Sequence, residues 1–182
     1  LTADSTAKKT FNAFTPKVIL SQKLTDNSMI YGSYAKGFRV GGFNFGNTAN
    51  PTYNPEKSDN YEVGIKNTFL NNRLKINLTA FYFQQKDQQV STSQDGINYA
   101  TLNVGDMDNY GLELEASALP IKNLQIDWTV STSHAEYKKL ELFDAGSNAV
   151  INYKGNKAIN NPALQSMLAV QYGLPLSKSA QN

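Results

Sequence analysis

The sequence contains no cysteine and only one histidine, His134, among its 182 residues. The lack of cysteine excludes a disulfide framework, a thiol nucleophile and a cysteine-ligated metal. A single histidine excludes a metal site built from several histidines. No apolar run approaches the roughly 20 residues that a membrane helix requires. The net charge is only +2 and no basic stripe is present, so the sequence gives no indication of a nucleic-acid partner.

Long stretches of alternating apolar and polar residues are present instead, and the clearest runs from Tyr61 to Gln89. It predicts two strands joined by a tight turn at Asn71-Asn72, because asparagine tolerates the positive φ that such turns require. If Leu70 pairs with Arg73, the cross-strand partners separate into an apolar and a polar face. The apolar face carries Tyr61/Tyr82, Val63/Ala80, Ile65/Leu78, Asn67/Ile76 and Phe69/Leu74. The polar face carries Glu62/Phe81, Gly64/Thr79, Lys66/Asn77 and Thr68/Lys75.

The length of this apolar face favours a membrane-spanning strand. Tyr61 and Phe69 lie roughly 27 Å apart along a strand, at about 3.4 Å per residue. A tilt of about 40° reduces that to roughly 20 Å of height, close to the apolar band of an outer-membrane barrel. Strands of soluble proteins are usually only about 5–6 residues long. We therefore predict that the apolar face contacts lipid and the polar face lines a lumen, with Asn67 near the interface.

Five further stretches predict strands, at residues 14–24, 29–38, 110–119, 124–133 and 163–172. The facing of the strand at 29–38 stays open. Short predicted turns at 25–28, 71–72 and 120–123 alternate with long connections at 39–58, 86–109 and 134–161. Turn signals at Asp95-Gly96 and Gly105-Asp106 lie in the second long connection. Short periplasmic turns and long extracellular loops are typical of outer-membrane barrels.

The predicted fold class is all-β, an antiparallel up-and-down meander of about 7–8 long strands. Bacterial single-chain barrels usually have an even number of strands, and about seven are visible here, so we expect a sheet that is incomplete at both edges. The chain begins at Leu1 without a signal peptide, which is consistent with an excised piece of a larger barrel.

Several ordered runs resemble the C-terminal half of a TonB-dependent outer-membrane receptor. They are YGSYAKGFRVGGFN (31–44), YNPEKSDNYEVGIKN (53–67), RLKINLTAFYFQQKDQQV (73–90), NVGDMDNYGLELEASALPIKNLQID (103–127) and NKAINNPALQSMLAVQY (156–172). The resemblance covers residues 11–175. It implies that residues 1–182 are part of a transmembrane β-barrel of about 22 strands, whose plug domain and closing strands are absent from the chain.

The resemblance also implies a function. Receptors of this family lie in the outer membrane of Gram-negative bacteria and import a scarce nutrient, most commonly a ferric siderophore or another iron complex. The implied partners are the lipid bilayer, the plug domain of the parent chain, the TonB energy complex acting through that plug, and a small-molecule metal chelate. No cofactor is implied. Two alternatives from other classes remain open, a passive porin-type barrel and a soluble β-sandwich binding module.

Carboxylates cluster on the predicted lumen wall. Glu113 and Glu115 share a strand face, and pairing Ala118 with Leu124 would place Asp127 opposite Glu115. An acid–base pair or a cation site is one interpretation. We favour a charge ladder that Lys66, Lys75 or a plug domain neutralises, because like charges opposite each other are otherwise unfavourable.

The loop at 39–58 holds the best ligand candidates, Arg39, Phe43, Phe45 and Tyr53. Arginine and aromatic side chains bind an anionic, aromatic metal chelate through charge and stacking. The alternative interpretation is ordinary packing of interface aromatics and loop residues.

Catalysis and a resident metal are not predicted. The run from Asp106 to Asn109 resembles part of a calcium loop but lacks the downstream glycine and bidentate glutamate. His134 has no accompanying nucleophile motif, and no phosphate-binding glycine loop opens a helix. An outer-membrane hydrolase is therefore disfavoured, and we predict that the protein is not an enzyme.

Overall fold

The described part of the chain is built from β-strands and their connections. The computed structural model describes residues 8–47, 49–93, 97–144 and 146–174. Its strands are β1 (Lys17–Thr25), β2 (Ser28–Arg39), β3 (Gly42–Phe43), β4 (Thr52–Tyr53), β5 (Glu56–Phe69), β6 (Leu74–Ser93), β7 (Tyr99–Ala118), β8 (Leu124–Thr132), β9 (His134–Asp144), β10 (Ala149–Asn152) and β11 (Leu164–Tyr172). Within these ranges, no helix has the length and apolarity needed to cross a membrane.

Seven long strands form one antiparallel sheet in the order β1-β2-β5-β6-β7-β8-β11. This arrangement confirms the predicted all-β meander. Strand β9 follows β8 after Ser133 and pairs with residues 105–110 of β7, so that β8 and β9 lie one after the other along the same edge of β7. Strand β10 pairs with the outer side of β9, and β3 and β4 form a separate two-stranded hairpin.

The central hairpin β5–β6 has the predicted register throughout, from Tyr61↔Tyr82 to Phe69↔Leu74. The backbone N–H of Arg73 donates to the carbonyl of Leu70 at 3.2 Å, which closes the turn. Asn71 and Asn72 have φ values of 54° and 67°, as the sequence predicts. Leu70 also has a positive φ of 54°, which was not predicted and is unusual for a bulky residue.

One row of aromatic residues divides the apolar face. The row, here called the tyrosine row, consists of the register partners Tyr34, Tyr61, Tyr82 and Tyr110, and His134 continues it. Adjacent rings stack in tilted pairs, 5.1 Å apart for Tyr34–Tyr61 and 6.2 Å for Tyr61–Tyr82. The register also settles the facing of β2, because Ile30 and Tyr34 share the apolar face with β5.

Short turns gather at one end of the sheet. The N–H of Thr68 donates to the carbonyl of Asn27, and the N–H of Leu119 donates to the carbonyl of Arg73, each at 2.8 Å. The N–H of Gly173 donates to the carbonyl of Asn123 at 2.8 Å. The alternation of short and long connections therefore places all long segments at the opposite end.

The predicted long connections contain more strand than expected. Strands β6 and β7 are each 20 residues long and fill most of 86–109, so the predicted turn at Gly105-Asp106 is wrong. The turn predicted at Asp95-Gly96 lies outside the described residues. The connection at 134–161 contains β9 and β10, and that at 39–58 contains β3, β4 and the start of β5. These strands were not predicted because they are rich in polar residues and lack a long apolar face, although their backbones still pair in a ladder.

Two bulges keep β6 and β7 in phase. Between the pairs Gln85↔Met107 and Gln88↔Gly105, β6 contains one extra residue. Between Gln88↔Gly105 and the next pair, Gln89↔Asn103, β7 contains one extra residue. Asp87 occupies the first bulge with φ of 55°, and its N–H donates to Asp106 Oδ1 at 2.9 Å. Beyond both bulges, Val90↔Leu102 continues with the original offset.

The bulges separate two regions that bury apolar residues differently. Residues 86–106 and 134–161 are called the extension, and the remaining strands of the seven-stranded sheet are called the lower sheet. Among the residues that the structure describes, the buried hydrophobic ones lie in the extension: Ala100, Leu102, Ala135 and Leu140. In the lower sheet the apolar face is exposed, as in Leu20 (74%) and Val63 (62%).

Candidate functional site

A concavity of about 620 Å³, here called the wall cavity, lies on the polar face of the lower sheet. Three of the five predicted lumen residues line it, Lys66, Glu113 and Glu115. Its other lining residues include Tyr31, Asn60, Glu62, Asn77, Thr79, Phe81, Asn109, Ser131 and Asn161. The lining is therefore mainly polar and carries charges of both signs.

Cross-strand contacts hold the side chains of the wall cavity. Asn77 Nδ2 donates to Glu115 Oε2 at 3.3 Å. The hydroxyls of Tyr31 and Thr79 lie 2.9 Å apart, and Lys66 Nζ lies 5.3 Å from the centre of the Tyr31 ring. That ring packs where a Cβ on Gly64 would lie, so a glycine at this position makes room for the tyrosine. Lys66 is thus positioned over Tyr31 by a cation–π contact.

The predicted pairing of Asp127 with Glu115 is wrong. Ala118 pairs with Ile126 instead of Leu124, which places Asp127 opposite Ser117 and Thr129 opposite Glu115. The register differs by two residues, so every side chain keeps its predicted face. The turn is wider than expected because Leu119 still pairs with β6, and because Arg73 Nε holds the Leu119 carbonyl at 3.0 Å.

Lys75 and Asp127 lie one rung below the glutamates, on either side of Ser117. Neither side chain lines the wall cavity. Within the described ranges, no ion pair joins either of them to the glutamates, and no group of three or more acidic or histidine side chains is placed to hold a metal ion. Asp106–Asn109, the run resembling a calcium loop, lies within β7.

A larger cavity of about 820 Å³, the vestibule cavity, lies in the extension. Its apolar lining is Val90, Met107, Ala135, Leu140, Leu142, Ala158 and Ile159. Its polar lining is Gln88, Asn109, Tyr137, Tyr153, Asn156, Lys157, Asn160 and Asn161. Asn109 and Asn161 also line the wall cavity, so the two spaces adjoin on the same side of the sheet.

Backbone pairing with β9 fixes one wall of the vestibule cavity. The N–H of Tyr137 donates to the carbonyl of Asn156 at 3.0 Å, and the N–H of Ala158 donates to that of Ala135 at 2.9 Å. Gln88 Oε1 is buried without a hydrogen-bond partner among the described residues. Buried amide oxygens are normally satisfied, so this acceptor is available to a donor that enters the cavity.

The vestibule cavity was not predicted from the sequence, because residues 134–161 were expected to form a long connection without strands. A signal was present in the alternation of Ala135 and Tyr137 and, out of phase with it, of Leu140 and Leu142. The alternation changes phase at Lys138-Lys139. At this point β9 contains one extra residue, because Asp106 pairs with Lys139 and Met107 pairs with Tyr137.

The loop at 40–55 is fastened to the extension by amide side chains. Asn44 Nδ2 donates to the carbonyl of Thr101, and Asn44 Oδ1 accepts from the N–H of Thr101, each at 2.9 Å. Asn103 forms a similar pair with the backbone of Asn54, at 2.7 and 2.9 Å. An amide side chain offers both a donor and an acceptor, so it can make the two hydrogen bonds that the backbone of a neighbouring strand would otherwise make.

The four ligand candidates of this region do not converge. Arg39 Nη1 lies 3.8 Å from Glu56 Oε2 across the β2–β5 ladder. Phe43 lies half-buried in β3, and Tyr53 in β4 packs over Gly42. Phe45 is 96% exposed. None of the four lines the wall cavity or the vestibule cavity.

Comparison with protein families finds a match to the family described as TonB dependent receptor-like, beta-barrel, over residues 1–180. The probable TonB-dependent siderophore receptor PiuA of Acinetobacter baumannii is 27% identical over 175 residues, covering 92% of this chain and 23% of its own length. The metal-pseudopaline receptor CntO of Pseudomonas aeruginosa is 25% identical, covering 79% of this chain and 20% of its own length.

Among solved structures, the ferric yersiniabactin uptake receptor FyuA of Yersinia pestis superposes with a TM-score of 0.67 at 24% identity. That match covers 86% of this chain and 22% of FyuA. The FpvAI–pyocin S2 complex gives a TM-score of 0.65 at 20% identity, over 91% of this chain and 21% of the matched chain. The chain thus spans about a quarter of the length of the relatives it matches, and these structures share its fold.

Proposed function

The chain belongs to the TonB-dependent receptor-like β-barrel family, and from this premise we propose that it supplies wall and surface loops to an outer-membrane receptor that imports a small metal chelate. The family is one of transport receptors. We further propose that the lower sheet crosses the outer membrane and that the extension projects outward from it. Strands of about 9–11 residues suffice to cross a bilayer, and β6 and β7 have 20 each.

The observation that carries this proposal is the adjoining pair of cavities on one side of the sheet. The vestibule cavity combines an apolar floor with amide and tyrosine side chains, the composition expected of a small-molecule site. In the proposed barrel, a chelate enters from the extension and the wall cavity lies deeper along its path.

A ferric siderophore is the proposed class of cargo. PiuA is described as a probable siderophore receptor, and FyuA as an uptake receptor for ferric yersiniabactin. Lys157 is the only charged residue in the described lining of the vestibule cavity, and Tyr137 and Tyr153 offer rings for stacking. The loop residues Arg39, Phe43, Phe45 and Tyr53 remain proposed contacts from above the cavity.

We propose that residues 1–182 form one part of a larger barrel domain whose plug occupies the lumen. Support comes from the 23% share of PiuA that the chain matches, and from the edge strands β1 and β11, each paired on one side only within the described residues. Lys66, Glu113 and Glu115 then face the plug, with Lys75 and Asp127 one rung below. A TonB energy complex acts through that plug, and no catalytic role is proposed for any residue.

The first test is the mass of the native protein. An antibody raised against this chain should detect, in the outer-membrane fraction, a band several-fold larger than the 20.1 kDa of the chain. A band near 20 kDa would contradict the large-receptor proposal and favour a small barrel or a sandwich module. A large protein whose transport continues without TonB would favour the porin alternative.

The second test addresses the vestibule cavity in the full-length receptor. We expect Tyr153→Ala to raise the half-saturating concentration for uptake of a ferric siderophore about tenfold, since loss of an aromatic contact costs on the order of 1–2 kcal/mol. Tyr99→Ala is the matched control, because Tyr99 is 69% exposed in the extension and does not line the cavity. Equal effects of both substitutions, at equal surface levels, would contradict the assignment.

A further inference from the structure

The tyrosine row marks a sharp change of chemistry on the apolar face. Gly32, Val63 and Ala80 are register partners on the same face, two residues from the tyrosine row in the direction of the short turns. Because the residues at 32 and 80 are small, they leave a groove. The groove measures about 510 Å³. On the apolar face it is lined by Val18, Leu20, Gly32, Tyr34, Tyr61, Val63, Ala80 and Tyr82. It therefore has the size and chemistry of a seat for a hydrocarbon chain.

Two lysines face each other on the opposite side of the row. Lys57 and Lys86 are direct register partners, four residue pairs beyond Tyr61↔Tyr82 and therefore on the same face. Both are exposed. Like charges directly opposite each other destabilise a sheet unless an anion lies between them.

The neighbouring carboxylates of this face make their hydrogen bonds and ion pairs with other groups. Asp59 accepts from the Tyr34 hydroxyl at 2.6 Å, and Asp108 accepts from Gln84 Nε2 at 3.3 Å. Glu136 lies 2.9 Å from Lys138 Nζ and 3.6 Å from His134 Nε2.

The remaining charged groups nearby leave the pair equally unpaired. Asp106, at the bulge, accepts from the N–H of Asp87. Lys36, opposite Asp59, adds a third cation one rung nearer the tyrosine row. In the described ranges, no acidic oxygen lies within ion-pair distance of Lys57 or Lys86.

We propose that this face binds one lipid with an anionic phosphate headgroup, the phosphate lying between Lys57 and Lys86 and an acyl chain lying in the groove. The inference rests on the proposed outer-membrane placement. Lys86 lies four residues from Tyr82, roughly 13 Å along the strand. Strand tilt reduces that to about 10 Å of height, and lysine side chains extend toward an interface while their stems cover apolar surface. The tyrosines then lie between headgroup and chain, the level that such aromatic residues favour.

The test uses the full-length receptor in bilayer discs of equal parts phosphatidylglycerol, which is anionic, and phosphatidylcholine, which is zwitterionic. Lipids retained after detergent extraction are identified by native mass spectrometry. We expect at least threefold enrichment of phosphatidylglycerol, lost in Lys57→Gln/Lys86→Gln and kept in Lys122→Gln/Lys154→Gln, a control pair of exposed lysines elsewhere. Gly32→Leu fills the groove, and its Cβ has no protein atom closer than 3.8 Å. It should reduce the enrichment with both lysines intact.

Three outcomes would overturn the proposal. The first is no enrichment of phosphatidylglycerol in the wild type, and the second is an equal loss of enrichment in the Lys122→Gln/Lys154→Gln control pair. The third is that the lysines bind inorganic phosphate while Gly32→Leu leaves the lipid enrichment unchanged. The last outcome would mean an anion site without a lipid chain. Ferric-siderophore uptake measured on the same variants separates the two proposals, because uptake that persists while lipid enrichment is absent contradicts only the lipid site.

Discussion

The lower sheet and the extension are continuous in β6 and β7, yet they place their apolar side chains in opposite ways. In the lower sheet, Leu20, Val63 and Leu168 project outward and are 62–74% exposed. In the extension, Leu102 and Leu140 are 9% and 5% exposed. The same polypeptide therefore turns its apolar residues toward its surroundings in one region and toward itself in the other.

The proposed outer-membrane placement accounts for this difference, because it puts the two regions in different solvents. Contiguous exposed apolar surface on the scale of the lower sheet is rare in soluble monomers. An apolar face that contacts lipid tails gains nothing from being covered by protein, whereas a hairpin in water must bury its own leucines. The tyrosine row lies where one behaviour changes to the other.

The largest expected effect comes from truncating the core of the extension. Leu140→Ala should destabilise the extension by about 2–5 kcal/mol, since it opens a cavity among buried side chains. Leu20→Ala is the matched control and should cost less than about 1 kcal/mol in a bilayer, because lipid fills the space. Hydrogen exchange of β9 and β1 amides, in the full-length receptor, measures both.

An equal loss of protection from the two alanine substitutions would contradict the comparison. It would mean that Leu20 is packed against protein rather than lipid.

A somewhat smaller effect is expected from placing a charge on each face of β6. Leu78→Arg should destabilise the membrane-inserted receptor by about 2–4 kcal/mol, the cost of a cation near the middle of the apolar band. Asn77→Arg, one residue away on the polar face and beside Glu115, should change stability by less than about 1 kcal/mol. Chemical denaturation of receptor folded into liposomes tests this pair, and similar costs for both would show that Leu78 does not contact lipid.

The smallest effect concerns the ion pair between Glu136 and Lys138 in the extension. Lys138, by hydrogen bond and charge, lowers the pKa of Glu136 below its ordinary value of 4.5. A lowered pKa in the folded state contributes stability that is present above the ordinary value and lost as the pH falls through the folded one. The protection of β9 amides, after correction for intrinsic exchange at each pH, should therefore decrease slightly below pH 4.5.

Glu136→Gln should remove this pH dependence without altering β9 at neutral pH. The Glu136–Lys138 pair is exposed, so its contribution to stability is expected to be small. If β9 of the Glu136→Gln variant loses as much protection at low pH as the wild type, the pH dependence comes from other groups.

Period-two alternation made the faces of the lower sheet predictable. The complete register of β5–β6 followed from the turn at Asn71-Asn72, because pairing Leu70 with Arg73 fixes every later cross-strand pair, including Phe69 with Leu74 and Tyr61 with Tyr82. The register of β7–β8 did not follow, since an offset of two residues gives the same faces. The wider turn is accompanied by contacts of Arg73 with the backbone of Leu119, which lies 46 residues away in the sequence and could not be paired with it from the local pattern.

The extension was poorly predictable for a related reason. Its strands carry no long apolar stripe, and bulges at Asp87 and at Lys138-Lys139 interrupt the alternation that remains. The vestibule cavity depends on long-range pairing of 153–161 with β9, which no local pattern encodes. Lys66, Glu113 and Glu115 line one cavity on the polar face, and the assignment of faces from the alternation is enough to predict that they share a face.

The paired bulges in β6 and β7 have a consequence for how such a hairpin changes length in evolution. Each bulge reverses the facing of its own strand, and the two reversals occur within a few rungs, so the strands stay in step. Loss of the extra residue from β7 alone would turn the buried side chain of Leu102 to the opposite face of the sheet. Loss from both strands together would leave their pairing intact. Insertions and deletions here are therefore tolerated in pairs, and a receptor surface can lengthen or shorten without altering the wall beneath it.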